Sequence, residues 1–209
     1  MIGNGCERVT VLGRLGMSTR HAVYSVQRGN GTRAVLKIAT KNSDELRKEA
    51  EVLLYLEGRG VTRVPRVLFH GRVRGAACLL LSGVGTPISD AVSTRSGQQQ
   101  AGRWLREIRK VLDSVHQANV VHSDVKPDHI IITDGEAHLI DFGLSVLIGE
   151  VYRGGTERYF SKAKQQYASR ACPADDLHAL HKTEAEVLGC AEMKQAEPLL
   201  GHIGRNDTH

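Results

Sequence analysis

The stretch His122–Thr133, HSDVKPDHIIIT, constrains this chain more than any other. Three successive isoleucines, Ile130 to Ile132, read as a short strand inside a core. The run before them does not fit that reading. It sets an acid and a lysine two residues apart, then a proline, a second acid and a histidine. A polar cluster of this kind at the rim of a core is where chemistry is held. It needs a real core beneath it, and 209 residues with 41% hydrophobic content supply one. That length suits one large domain or two small lobes. Aromatics make up only 4%, so aliphatic side chains carry the packing.

Composition narrows the function classes. The net charge is +5, but the basic residues are spread along the chain, so no specific nucleic-acid partner is expected. The four cysteines, Cys6, Cys78, Cys172 and Cys190, form no CxxC pair. That argues against a disulfide framework or a zinc knuckle and for a reduced, intracellular compartment, cytoplasmic or nuclear. The opening MIGNGCERVTVLG has neither the basic segment nor the apolar run of a signal peptide, and its Met-Ile does not match a myristoylation signal. No stretch reaches the length of a membrane span, so no membrane partner is expected.

Along the chain, the first third reads as strands with one helix. VTVLGRLG, HAVYSV and RAVLKIA are short apolar runs, the last two joined by the Gly-rich turn RGNGT. SDELRKEAEVLLYLEGRG reads as a helix with Ser43 as N-cap, Gly58 as stop and Leu46, Ala50, Leu53 and Leu54 on its buried face. RVPRVLFHGRV and AACLLLSGV follow as two strands, and GVGTPISD as a linker. QQQAGRWLREIRKVLDSVHQAN is a strongly amphipathic helix with Trp104, Leu105, Ile108, Val111, Leu112 and Val115 on one face. Two short strands, HIIIT and AHLIDFG, are joined by DGE, and DDLHALHKTEAEVLGC reads as a last helix after an irregular stretch.

HSDVKPDHIII followed by LIDFG resembles the catalytic loop and metal-binding motif of the eukaryotic-type protein kinase superfamily. The supporting pieces stand in that family's order: a Gly-containing strand-turn-strand, AVLK, an acidic helix, a Gly-bearing hinge, the loop, DFG and GTERYFS. The resemblance runs from about Leu12 to about Leu180. It implies an α+β, bilobal protein-kinase-like fold. Residues 1–83 would form a small antiparallel-sheet lobe with one helix. Residues 84–209 would form a mainly helical lobe, truncated because the later helices of that lobe are not expected.

The resemblance also implies roles. Asp124 would accept or orient the proton of an attacking hydroxyl, and Lys126 would steady the transferring phosphoryl group. Asp141 would hold magnesium, a hard oxygen ligand for a hard cation. Lys37 would contact the phosphates of ATP, paired with Glu49 or with its rival Glu45, one turn earlier. The Lys37-to-Glu49 separation is shorter than usual for the family. Leu81 and Gly83 would lie at the nucleotide-binding hinge, and Phe142 would pack against the first-lobe helix. His122 is read as a buried scaffold residue that hydrogen-bonds loop backbone, His116 as packing or helix capping, His138 as exposed, and Asp176 as the anchor of the catalytic loop.

Several positions depart from the family. The glycine loop reads Gly16, Ser18 and His21, where glycines let phosphates approach the backbone. His129 stands where the family has a metal-binding Asn. Its imidazole suits Mn2+ or Zn2+ better than Mg2+, so either the second metal is weak or absent or the site takes a softer ion; the plainer alternative is that it merely hydrogen-bonds Asp124. Ser123 replaces the Arg that reads a phosphorylated activation segment, which suggests activity without such a switch. Thr156 is expected near the base, and Lys162-Ala163 replaces a Pro-Glu pair. The expected function is a minimal Ser/Thr kinase using ATP and Mg2+, with Mn2+ as an alternative ion, on a protein hydroxyl. The alternatives are a pseudokinase acting as a regulatory module and a small-molecule kinase. Lys126 argues against the last.

Overall fold

A computed structural model of the chain describes residues 8–17, 21–40, 44–166 and 169–200, the side chains of 190–200 excepted. Ser18 and Ser43 lie outside the described residues.

Five antiparallel strands build the first sheet: β1 (Val9–Met17), β2 (His21–Arg28), β3 (Arg33–Ala39), β4 (Val67–Val73) and β5 (Ala76–Leu81). They lie in the order β1-β2-β3-β5-β4. The turns follow from their residues. Between β2 and β3 the Asn30 carboxamide oxygen accepts from the Thr32 backbone N–H at 3.1 Å and from its hydroxyl at 2.7 Å. Between β4 and β5 only Arg74 and Gly75 separate the paired Val73 and Ala76, and both have positive φ, 51° and 84°. That is the two-residue primed turn whose twist matches the flanking strands.

Helix α1 (Glu45–Gly58) crosses between β3 and β4. Its end is a Schellman motif. The Val61 N–H donates to Leu56 O at 3.1 Å and the Gly60 N–H to Glu57 O at 3.0 Å, with Gly60 at φ 75°. Gly58 is therefore the last helical residue, and Gly60 makes the left-handed turn. Leu46, Ala50, Leu53 and Leu56 are the buried apolar positions. Leu54, expected with them, is 42% exposed. The i, i+4 and i+7 steps from Leu46 define the stripe, and Leu54 falls about 100° off Leu53.

The segment GVGTPISD is more than a linker. It forms β6 (Thr86–Pro87), paired with β8 (Ile130–Thr133), and the one-turn helix α2 (Ile88–Ala91). Fully buried Ile88 pins it down. Helix α3 (Arg95–Gln117) starts three residues earlier than the apolar pattern suggested, because the Thr94 hydroxyl accepts from the Gly97 N–H at 3.0 Å. A Cβ at Gly97 would meet the Ala91 carbonyl oxygen at 1.9 Å, so α2 and α3 touch backbone to backbone there. All six apolar residues expected on its face are buried.

Strand β7 (Val120–Val121) pairs with β10 (Val146–Leu147), and β8 with β9 (Glu136–Leu139). Asp134 and Gly135, φ 52° and 81°, make a second primed turn, and Trp104 Nε1 donates to the Gly135 carbonyl at 2.9 Å. Residues 127–129 form a 3-10 turn before β8, so His129 precedes the strand rather than opening it. Helix α4 (Pro173–Leu200) closes the described structure. One apolar cluster runs from α1 and β5 through the α3 face to Ile130, Leu139, Phe142 and, on α4, Leu180 and Val187. Among the described residues no helix is long and apolar enough to cross a membrane.

Candidate active site

Between the five-stranded sheet and the β8–β9 hairpin lies a cleft of about 590 Å³. Gly16, Lys37, Leu81 and Gly83 line it from the sheet side, and Lys126, His129 and Asp141 from the other. Val23, Val35, Leu81, Ile131 and Ile140 give it apolar walls.

Lys37 sits in the middle of β3, opposite Val23 and Leu79. The ladder fixes its backbone and the pleat turns its side chain toward α1. Its Nζ donates to Glu49 Oε1 at 2.7 Å and Oε2 at 2.9 Å, and to Asp141 Oδ1 at 2.8 Å. Glu49, not Glu45, is therefore the paired carboxylate. Burial works against the Lys37 charge, but Glu49 and Asp141 outweigh it and hold the ammonium's pKa above its ordinary value. Burial raises Glu49.

The loop after β7 is held from below. The Asp176 carboxylate on α4 accepts the His122 N–H at 2.7 Å and the Ser123 N–H at 2.9 Å, and His116 Nε2 donates to it at 2.9 Å. Ser123 turns the chain at φ 75°. The buried His122 ring donates from Nε2 to the Ile140 carbonyl at 3.0 Å and accepts the Asp124 N–H at Nδ1 at 3.3 Å. It stands edge-on to Phe142 with centroids 4.7 Å apart. These bonds require the neutral ring, and burial lowers its pKa. His122 thus braces the loop and meets Asp141 only through the neighbouring Ile140 backbone. His138, expected to be exposed, is half-buried, and burial lowers its pKa too.

Asp124 is the most heavily bonded acid of the loop. Its Oδ1 accepts the Thr156 N–H at 2.7 Å, and its Oδ2 lies 3.1 Å from Lys126 Nζ. Lys126 also donates to the Thr156 hydroxyl at 2.9 Å. Burial pushes the Asp124 carboxyl up. His129, the Thr156 N–H and Lys126 more than offset it, so its pKa lies below the ordinary value. Asp141, at φ 67°, is also held well below: burial raises it, and Lys37 and His129 overcome that.

His129 joins the two acids. Its Nδ1 donates to the Asp124 carbonyl at 2.7 Å, which fixes the proton on that nitrogen. Its Nε2 then faces Asp141 Oδ2 at 3.2 Å. The hydrogen bond to Asp124 expected of this residue is made through the Asp124 backbone, and the second nitrogen approaches Asp141. Asp128, beside it, is exposed.

The structure brings Lys37, Glu49, Asp124, Lys126, His129 and Asp141 together, with Gly16, Leu81 and Gly83 around the same cleft. Sequence reasoning missed buried Lys164 and its neighbours Tyr152 and Asp175. A lysine between exposed-looking residues carries no pattern that marks it as buried.

A protein-family model described as "Protein kinase domain" matches residues 10–167. The chain belongs to the protein kinase family. Its relatives include serine/threonine-protein kinase PEPKR2 of Arabidopsis thaliana, 31% identical over 131 residues, or 59% of this chain and 27% of that one. Serine/threonine-protein kinase AfsK of Streptomyces griseus is 26% identical over 190 residues, 83% of this chain and 23% of its own. The kinase described here thus spans about a quarter of the length of these relatives. Among solved structures, the Cydia pomonella granulovirus kinase PK-1 matches with a TM-score of 0.72 at 23% identity, covering 86% of this chain and 68% of that one. That likeness carries the fold alone, and the α+β, bilobal kinase architecture agrees with it.

Proposed function

We propose that this chain is an ATP-dependent serine/threonine protein kinase that transfers the γ-phosphate of ATP to a protein hydroxyl. One observation carries the reading: Lys37, Lys126, His129 and Asp141 line a single cleft with apolar walls, and the Asp124 carboxylate is held beside it through Lys126 and His129. The apolar walls suit a nucleobase, with Leu81 and Gly83 at the hinge and Gly16 over the phosphates. The Lys37 ammonium, fixed by Glu49, meets phosphate charge. Asp124, ionised at neutral pH, takes a hydrogen bond from the substrate hydroxyl and orients it for attack. The Thr156 N–H fixes Asp124 Oδ1, which leaves Oδ2 between Lys126 and His129. Lys126 lies beside that oxygen and offsets charge on the transferring group.

Magnesium fits Asp141. Its side chain is 35% exposed and presents carboxylate oxygen to the cleft. Among the described residues no cluster of three or more His, Cys, Asp or Glu would hold a metal alone. That suits an ion that takes most of its ligands from phosphate and water. Asp141 would hold the ion, which would supply positive charge against the phosphates. His129 offers nitrogen where a second ion would sit, a donor that suits Mn2+ better.

A second reading, a nucleotide-binding pseudokinase, is favoured by His129, whose ring contacts both Asp124 and Asp141, and by His21 in the glycine loop. Labelled ATP with Mg2+ or Mn2+ and generic protein substrates separates the two. The kinase reading expects transfer by the native chain. It expects Asp124→Asn to lose about 10²–10⁴-fold of it while still binding ATP. Labelling that persists undiminished in this variant contradicts the role of Asp124, and no transfer by the native chain favours the second reading.

A further inference from the structure

Lys164 is a buried lysine without a carboxylate partner in contact. Its partners among the described residues are a carbonyl and two rings. Nζ donates to the Ser123 carbonyl and lies 4.2 Å from the centroid of Tyr152 and 4.4 Å from that of Phe160. Burial lowers its pKa, and longer-range attraction from Asp176, Asp124 and Asp175 offsets that only in part. A buried ammonium is costly unless its donors are met, and two aromatic faces with one carbonyl meet them.

The place of this contact matters more than its strength. Ser123 is the residue before Asp124, and its positive φ aims its carbonyl away from the ordinary extended direction. Tyr152, Phe160 and Lys164 itself belong to the segment after DFG. The contact therefore ties that segment to the peptide that carries Asp124. It closes over Gly155, where a Cβ would meet the Ser123 oxygen at 2.7 Å, a Phe160 ring carbon at 2.7 Å and Lys164 Nζ at 2.9 Å. Thr156, next in the chain, gives its N–H to Asp124. The segment's far end is fixed by Asp175 on α4, which accepts from the Tyr152 hydroxyl at 2.5 Å and from the Ser161 hydroxyl. The Ser161 oxygen in turn accepts the Lys164 N–H at 3.0 Å.

We infer that Lys164 is a positioning residue: an internal cation that holds the segment after DFG against the catalytic loop in place of an added phosphate. A phosphate-held segment needs a cation on the loop to read it. Here the polarity is reversed. The loop offers a carbonyl at Ser123, and the segment supplies the positive charge itself. The inference rests on the kinase reading above for its activity readout, but the latch has a readout of its own.

The test compares phosphatase-treated native chain with Lys164→Met, Lys164→Arg and Phe160→Leu. Native chain stays active after phosphatase. Lys164→Met lowers kcat about tenfold or more, since small misplacements near the reacting groups are costly. Its KM for ATP stays within about twofold, because the nucleotide cleft is untouched. Hydrogen exchange speeds up in residues 152–160 and at Ser123–Val125, and not in β3 or α1. Lys164→Arg recovers most of both losses. Phe160→Leu, which keeps the lysine, shows the same pattern more weakly and covers the case in which Lys164→Met does not fold. An unchanged kcat and unchanged exchange in Lys164→Met overturn the inference, as does activity that disappears with phosphatase. If the native chain transfers no phosphate at all, the kinase reading fails and exchange alone decides. Faster exchange in the variant then upholds the latch, and equal exchange removes it.

Discussion

At the residue scale, the two histidines of the loop bond differently, His122 to backbone on both ring nitrogens and His129 toward both acids. His122 is bonded as a neutral ring and buried, so its folded pKa is lowered from about 6.5. The unfolded chain then binds more protons below that value, and stability is lost as pH falls through it. His138 adds in the same direction. The slope approaches about 1.4 kcal/mol per pH unit for each such proton. Melting temperature is therefore expected to fall between pH 7.5 and pH 5.5, and a flat profile would count against the bonding described for His122. The lowered Asp124 and Asp141 act later, losing their contribution only as pH drops below the ordinary carboxylate range. His129 is legible as an oddity in the sequence, but its reach to both acids is not, because spacing fixes neither ring orientation nor tautomer. With His129→Asn, ATP binding measured by calorimetry is expected to strengthen in Mg2+ relative to Mn2+. An unchanged ratio of the two affinities leaves His129 as a brace only.

At the element scale, the helices and hairpins follow from local chemistry that the sequence displays. The α3 face, the primed turn at Asp134-Gly135 and the strand carrying Lys37 are all readable from periodicity and turn residues. What periodicity misses is written in single contacts. The start of α3 lies three residues before the apolar pattern because of one hydroxyl on Thr94. Thr94→Ala is expected to destabilise the fold by about 1 kcal/mol in chemical denaturation. Ile108→Ala, in the middle of the buried face, is expected to cost about 2–5 kcal/mol. Leu54→Ala, on exposed α1 surface, is expected to cost under about 0.5 kcal/mol. Equal losses for Ile108 and Leu54 would mean the α1 face is misassigned. The segment GVGTPISD reads as a linker because two-residue strands and one-turn helices have no period to detect. Only its pairing with Ile131 and Ile132 makes β6 a strand.

At the scale of the whole molecule, order was legible and distance was not. The succession of AVLK, an acidic helix, HSDVKP and DFG places chemistry-bearing residues in sequence, and the sheet and the apolar cluster under it bring them to one cleft. Lys37 and Asp141 are 104 residues apart in the chain and 2.8 Å apart in space. That closure depends on α1 presenting Glu49, on Asp176 holding the loop from α4, and on one continuous core beneath both. The choice of Glu49 over Glu45 needed the structure, since both lie on one helical face. The central claim is that ATP with a divalent ion binds this cleft with its phosphates at Lys37 and Asp141. The most direct measurement is the melting temperature of the purified chain with and without ATP and Mg2+, beside Lys37→Met and Asp141→Asn. Ligand at about 100 times its dissociation constant should stabilise the native chain by about 2.7 kcal/mol. The account predicts a clear upward shift for the native chain and little or none for either variant. No shift in the native chain, or an equal shift in all three, would contradict it.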